Sequence, residues 1–472
     1  MTKATMLCKW MVLRGLLVFA LFLAGCAVNA TSARKAPRVM PGQSLVSVYF
    51  STTGVSTERI SFELDEVSIL MGDLWIELPA EKLKIDRQQV QGRQLLLGLG
   101  AFPAGDCSRV RFKLKEIRVG GNAGPGLEDQ LIELPLSRVV SFAGNDSTCL
   151  FIDWHLIPPI PGEVRFTPRF SVRGQELPLG RDLAYVVCDD IDTLYMVRTD
   201  VNFVVAALGL PGPLGELAID ENRKRLYVLS TGERAILVFD STNAQKLDRI
   251  PLSIAVNPRH LALAEDGTAA FVTDAATNRI LRIDLFSGIV AMQTTVGFRP
   301  ERVIYFDDGS HRLAVSSPTA QRVFILNADT LVLLKEIPAG NEVDSMLFWN
   351  DQFYVAERGG NSVVAFDHRS GRELSRVTVG FEPSYLIGVD HKIFVSNYQD
   401  NSISIFHAGQ NTSVRRIPVD SGPYAMAVSD RRRLLYLANR ESSSLTIVDL
   451  SSERVKAVVP LGGRPFAIGI LD

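Results

Sequence analysis

A net charge of −2 over 472 residues leaves no basic surplus for nucleic acid or for an anionic lipid surface. With 46% apolar and 22% charged residues the chain is globular rather than disordered, and its length calls for two or more domains.

The N-terminus supplies an address. Lys3, Lys9 and Arg14 precede the apolar run Gly15-Leu-Leu-Val-Phe-Ala-Leu-Phe-Leu-Ala24, which ends at Gly25-Cys26. The run is shorter than the roughly 18 to 20 apolar residues a membrane-spanning helix needs, and its flanks are those of a secretory signal. Leu23-Ala24-Gly25-Cys26 resembles the lipobox of bacterial lipoproteins, in which the Cys becomes the mature N-terminus and carries a diacylglycerol. The competing reading is an ordinary cleavage site with an incidental Cys. The resemblance implies residues 1–25 as signal peptide, lipidation at Cys26, and anchoring to a membrane through acyl chains. Ala27, where inner-membrane-retained members often carry Asp, points to the outer membrane. Residues 26–43 are polar, Pro-containing and aperiodic, the pattern of a tether. Asn29, Asn145 and Asn411 fit the N-glycosylation pattern, which carries no meaning behind a bacterial lipobox.

Residues 44–176 alternate with period two. Strands are expected at 45–50, 59–69, 74–78, 109–117, 150–154 and 164–170, separated by turn-rich stretches at 103–106, 120–126 and 158–162. Many short strands without helical periodicity predict a β-sandwich. The order of a Val-Ser-Ile strand, Trp75, a Leu-rich strand, Phe102-Pro-Ala-Gly-Asp106 and Arg109-Val-Arg-Phe112 resembles an uncharacterised sandwich domain common in bacterial lipoproteins. That resemblance implies no chemistry.

Of five cysteines, Cys8 leaves with the signal and Cys26 is the lipid site. Cys107 and Cys149 each open an expected strand, so they are either a disulfide or two buried thiols. Cys188 is left over. No Cys-x-x-Cys-His haem site and no cluster with zinc-ligand spacing occurs in the chain, so no cofactor or metal is assigned.

From 177 to 472 the chain repeats at intervals of roughly 40 to 44 residues, the spacing of propeller blades. Each repeat has a Pro-led strand, a strand centred on Tyr-Val or Phe-Val, a polar turn, and a strand ending in Asp. Seven registers are visible. The second strands include Ala270-Phe-Val-Thr-Asp274, Ile393-Phe-Val-Ser-Asn397 and Leu435-Tyr-Leu-Ala-Asn439, and the third strands end at Asp200, Asp240, Asp284, Asn327, Asp367, His407 and Asp449. Arg464-Pro-Phe-Ala-Ile-Gly-Ile-Leu471 matches a first strand with nothing after it, while the repeat from Arg181 lacks one, so the C-terminal strand is expected to close the ring. Phe394-Val-Ser-Asn397, Asn401-Ser-Ile-Ser-Ile-Phe406 and Val379-Gly-Phe-Glu-Pro383 make these repeats similar to YVTN-type seven-bladed propellers. The resemblance implies ligand or partner binding at a propeller face, and no single reaction. Blade 4, with Ala314-Val-Ser-Ser317 and Asn327, departs most from the pattern, and blade 5 lacks the leading Pro.

Aligned on that Pro, the channel mouth should carry Gly215 and Glu216, Arg259 and His260, Glu301 and Arg302, Asp344 and Ser345, Ser384 and Tyr385, then Tyr424 and Phe466. Glu216, Arg259, His260, Glu301, Arg302, Asp344, Tyr385, Tyr424 and Phe466 form the candidate binding rim. His260 is the best acid/base candidate, with Glu216 and Glu301 on adjacent blades, yet a lone His is more often structural. Asp189, Asp190 and Asp192 fit either calcium or turn chemistry, and turn chemistry is the simpler account. Arg431-Arg432-Arg433 reads as a solvated turn. The expectation is an all-β envelope lipoprotein, a sandwich followed by a closed propeller, that binds a protein or envelope polymer without catalysis. The alternatives are a lyase- or lactonase-like enzyme at the mouth, and a glycan binder using Trp75 or Trp154 of the sandwich.

Overall fold

The structure is a computed structural model, and it describes residues 37–472 except 55, 57, 81, 122–127, 157–167, 178–179, 181 and 411–414. The signal-like segment, Cys26, most of the tether, the 158–162 turn and Asn411 lie outside the described residues. Among the described residues no helix is long and apolar enough to cross a membrane.

The N-terminal part is one nine-stranded sheet. Its strands are β1 (Gln43–Thr53), β2 (Ile60–Met71), β3 (Leu74–Glu77), β4 (Leu83–Asp86), β5 (Gln94–Pro103), β6 (Gly105–Val119), β7 (Gln130–Phe142), β8 (Ser147–His155) and β9 (Arg169–Gly174). The order is β3-β2-β6-β7-β9-β8-β1-β5, with β4 also on β2. The sandwich takes the form of a sheet curled until its ends meet at an Ala80–Gly98 bridge. The approach is close enough to need glycine: a Cβ on Gly98 would stand 2.7 Å from the Pro79 carbonyl oxygen. One short helix, α1 (Arg87–Val90), is capped by Asp86, whose side chain accepts from the Gln88 amide at 2.8 Å.

Alternation explains the core. Along β6, Val110, Phe112 and Leu114 point in, while Arg109, Arg111, Lys113 and Lys115 point out. The apolar period then slips by one before Ile117, and Glu116, at φ 50°, is the extra residue of a β-bulge that turns Ile117 back inward. Phe50, Phe62, Phe112, Trp154 and Phe170 fill the interior, with Phe62 edge-on to Trp154 at 5.0 Å. Trp154 is therefore core, and Trp75 lies under the Arg111 guanidinium at 4.3 Å, so the sandwich offers neither indole as an open glycan platform. The sequence reading places no strand over 130–142. Pro135 removes one N–H from that ladder, and the pairing of β7 with β6 shifts register between Cys107 and Arg109, opposite it. Of the strand expected at 164–170, residues 164–167 lie outside the described residues, and β9 runs over Arg169–Gly174.

Seven four-stranded sheets follow as blades. The C-terminal strand Pro465–Leu471 pairs antiparallel with Leu183–Cys188 and completes blade 1, so the ring closes as the repeat register requires. The repeat residues have definite jobs. The Asp or Asn that ends a third strand caps the next turn: Asp284 Oδ1 accepts from the Phe286 and Ser287 amides at 3.0 and 2.8 Å, and Asn327 Oδ1 from those of Asp329 and Thr330 at 3.0 and 2.8 Å. The residue ending a second strand holds the loop leading into its blade. Asn397 accepts from the Gly380 amide at 3.1 Å, Asp274 from Val256 and Asn257 at 2.8 Å, and Glu357 from Gly340 at 2.8 Å. In blade 4 Ser317 bonds the Phe298 carbonyl from the same position. Ser317 in blade 4 and Glu357 in blade 5 thus hold their loops with different chemistry.

The curled sheet and blade 1 share a core. Tyr49, Leu96, Cys149 and Phe151 pack with Val186, Tyr195, Val197 and Val204. The outer strand of blade 1, Phe203–Gly209, is an open edge that side chains of the N-terminal sheet cover. Gln94 Nε2 donates to the Val204 carbonyl at 3.0 Å while its Oε1 accepts from the Val204 amide at 2.8 Å. Gln175 does the same at Ala207, at 3.1 and 3.0 Å, and Asp146 takes the Gly209 amide at 2.8 Å. Ser47 Oγ and Tyr195 Oη lie 2.8 Å apart across the seam.

The disulfide reading of Cys107 and Cys149 is corrected. Both are buried free thiols: Cys107 faces the interior of the curled sheet, and Cys149 faces the seam with the propeller. Burial pushes the Cys107 thiol up to about 12 and raises those of Cys149 and Cys188 as well. The arginine turn is solvated and also ion-paired. Arg431 and Arg432 reach Asp182 at 2.9 and 3.2 Å, and Arg433 reaches Asp390 at 2.6 Å, so the turn of blade 7 is tied to both neighbouring blades.

Candidate functional site at the channel mouth

In six blades the pairing of the innermost strand shifts register at its start: Pro465/Ala467, Leu214/Leu217, Pro258/Leu261, Val343/Ser345, Pro383/Tyr385 and Pro423/Met426. Such an irregularity re-aims side chains that strict alternation would send to opposite faces. It lies at the segments that carry the rim residues, Pro-led in every one of these blades but blade 5.

These residues meet. Glu216 Oε2 of blade 2 lies 3.0 Å from His260 Nε2 of blade 3. Arg302 of blade 4 donates through Nη2 to the Tyr424 hydroxyl of blade 7 at 2.7 Å, and its Nε faces Asp344 of blade 5 at 3.4 Å. The same guanidinium sits 5.3 Å from the ring centres of Tyr385 and Tyr424. Tyr424 packs on Phe466 of blade 1 at 5.5 Å. Each blade therefore contributes one of these residues to a connected group, and a single Arg links four blades. Arg259 and Glu301 pair at 2.9 Å nearer solvent. Together with Arg299, Glu342 and Arg358, they wall a cavity of about 500 Å³ that also touches His260, Arg302, Asp344, Tyr424 and Phe466. Glu216 and Tyr385 stand behind that wall rather than on it.

The electrostatics are those of a buried network. Burial pushes the Glu216 carboxyl up, but His260 and Arg302 outweigh it, and the group ends below its ordinary value. Burial wins at Asp344 despite Arg302 and Arg358, raising that carboxyl. Burial also lifts Tyr385 and Tyr424 to about 12, so both remain phenols. Burial alone would lower the Arg302 value, but Tyr424, Asp344 and Glu216 more than offset it and keep the guanidinium charged.

His260 offers no free nitrogen to the cavity in this arrangement. Its Nε2 is engaged by Glu216, and its Nδ1 is enclosed without a hydrogen-bond partner. A general base must reach the proton it takes. The geometry makes His260 a residue that holds Glu216 in place.

Two arginines of the mouth escape the alignment on the leading Pro. Arg358 pairs with Glu382 at 2.5 Å, and Arg440 pairs with Asp189 at 2.9 Å while covering Tyr424 at 5.3 Å and Phe466 at 5.0 Å. Each directly follows the last residue of a second strand, a position as regular in the repeat as the leading Pro. Reading that second register would have found them. Of the acidic turn, Asp189 is taken by Arg440, and Asp190 Oδ1 accepts the Arg464 amide at 2.7 Å. Among the described residues no group of three or more His, Cys, Asp or Glu is placed to hold a metal ion.

No family model matches the chain, and no curated protein matches it. Solved structures do. A functionally unknown protein from Desulfotomaculum acetoxidans DSM 771 aligns over 61% of this chain and 99% of its own, at 14% identity and a TM-score of 0.55. Dihydro-heme d1 dehydrogenase NirN aligns over 64% and 66% at 14% identity and a TM-score of 0.49. Kuenenia stuttgartiensis hydrazine synthase aligns over 55% and 89% at 17% identity and a TM-score of 0.48. At such identities the likeness to the Desulfotomaculum protein is one of fold, and the chemistry of this chain must be argued from its own mouth.

Proposed function

We propose that this chain is a cell-envelope lipoprotein, anchored through Cys26 and directed to the outer membrane, whose propeller binds a protein or envelope polymer at the channel mouth without turning it over. One observation carries the binding site. All seven blades send a side chain into a buried group containing Glu216, His260, Arg302 and Asp344, beside a cavity of about 500 Å³. A channel sealed only for stability would gain more from apolar side chains, because buried ion pairs often do no better than a hydrophobic replacement. Perturbed ionisable groups gathered in a cleft mark functional sites. The enclosed state of His260 supports binding over the lyase- or lactonase-like alternative.

Crosslinking in intact cells, followed by mass spectrometry of what is captured, tests the reading. A partner crosslinked reproducibly at the mouth, for instance at Thr319, is the expected result. Correctly lipidated, abundant protein that captures nothing there would count against it. Cys26→Ser should release the chain from the membrane fraction, and retention of the variant would sink the anchor.

A further inference from the structure

The cavity at the mouth has a neighbour. A second cavity of about 420 Å³ lies between blades 5 and 6, lined by Arg358, Gly359, Asn361, Phe381, Glu382 and Gln399. Arg358 lines both, so it stands as a saddle between them.

The charges along this path are not all spoken for. Arg259 is paired with Glu301, Arg302 with Asp344 and Arg358 with Glu382. Arg299 and Glu342 are exposed and, among the described residues, make no ion pair. They occupy the same repeat position on adjacent blades, Arg299 directly before Pro300 and Glu342 directly before Val343, with φ of 52° and 56°; Glu382 holds that position on blade 6 at φ 54°, where it is paired with Arg358. Blade 7 fills that position with Gly422 at φ 71°, the residue for which a left-handed backbone costs least. Blades 4 and 5 thus hold opposite charges outside any ion pair among the described residues, in a conformation that disfavours them, with Glu342 in the field of Arg358. Phe381, 60% exposed, supplies an apolar wall farther along.

We infer that the two cavities form one groove for an extended peptide of mixed charge, with an acidic group at Arg299, a basic group at Glu342 and an aliphatic side chain over Phe381. The inference rests on the mouth being the binding site. Two joined cavities suit an elongated ligand better than a compact one. A polysaccharide is the poorer fit at the mouth, because Arg302 and Arg440 already lie over the Tyr424 ring, where a sugar would stack.

The test is fluorescence anisotropy on the full chain in detergent micelles with three dye-labelled dodecapeptides. One carries Glu, Lys and Leu, one replaces Lys by Glu, and one replaces Glu by Lys. The mixed peptide should bind at least tenfold more tightly than either control, and R299E and E342K should each weaken it at least fivefold. Both sites are exposed, so neither variant should disturb folding. Equal affinity for all three peptides, indifference to both variants, or displacement by an oligo-uronic acid in preference to peptide would overturn the inference. If crosslinks map to the mouth while no peptide binds, the peptide class fails and the mouth stands. If a peptide binds but crosslinks and variants place it elsewhere, both readings fail.

Discussion

The seam between the curled sheet and blade 1, and the mouth of the channel, are both places where distant segments meet. They are built from different chemistry. At the seam, Gln94 and Gln175 give neutral amides to the open edge of blade 1, each replacing the two hydrogen bonds that another strand would have made. At the mouth, Glu216, Arg302 and Asp344 are buried charged groups, and their neighbours outweigh desolvation at Glu216 and Arg302 but only partly offset it at Asp344. Neutral groups suffice to join surfaces. Charges are the choice where a further partner is to be recognised, and that difference separates architecture from a site.

The strongest way to break the comparison is to remove the closure on which both depend. A chain ending at residue 464 leaves Leu183–Cys188 without its partner strand and should lose cooperative thermal unfolding altogether, because blade 1 underlies the seam and supplies Phe466 to the mouth. At the mouth, Arg302→Ala strands Asp344 and the Tyr424 hydroxyl and should cost about 3–5 kcal/mol in a denaturant titration. Replacing both partners, Arg302→Met with Asp344→Leu, leaves no stranded charge and should cost clearly less while abolishing capture at the mouth. If the double variant proves as damaging as Arg302→Ala, the charge is structural. At the seam, Gln94→Ala leaves the Val204 amide and carbonyl unpaired and should cost about 1–3 kcal/mol, with Gln175→Ala similar at Ala207.

Acid sharpens the contrast further. Glu216 is held below its ordinary value of 4.5, so its contribution is fully present above that value and is lost as pH falls through the lower folded-state value. Asp344 is raised and works in the opposite sense, its ionised form being disfavoured in the folded state as pH rises. Glu216→Gln should flatten the acid limb of the stability curve below about pH 4.5, and an unchanged limb would remove Glu216 from the network. The smallest effect belongs to Arg431→Ala, an exposed pair with Asp182 expected to change stability by less than about 1 kcal/mol.

Repetition carried most of what the sequence determined. Seven copies of a second strand, five of them carrying Tyr-Val or Phe-Val and several ending in a residue that ties down the preceding loop, set the blade count, the closing strand and the positions of Glu216, His260, Arg302, Tyr385 and Tyr424. Those are local features: period-two burial, Asx turns and a Pro-led loop act within a few residues. The tertiary structure decided the rest, because it depends on which segments face one another. Cys107 and Cys149 open neighbouring-looking strands yet serve two different cores. Pro135 sits in a strand because a shift in register accommodates it. Arg302 bridges four blades, and Arg440 covers Tyr424 and Phe466, because ring closure brings blades 1, 4 and 7 to one axis, a proximity that no spacing along the chain encodes.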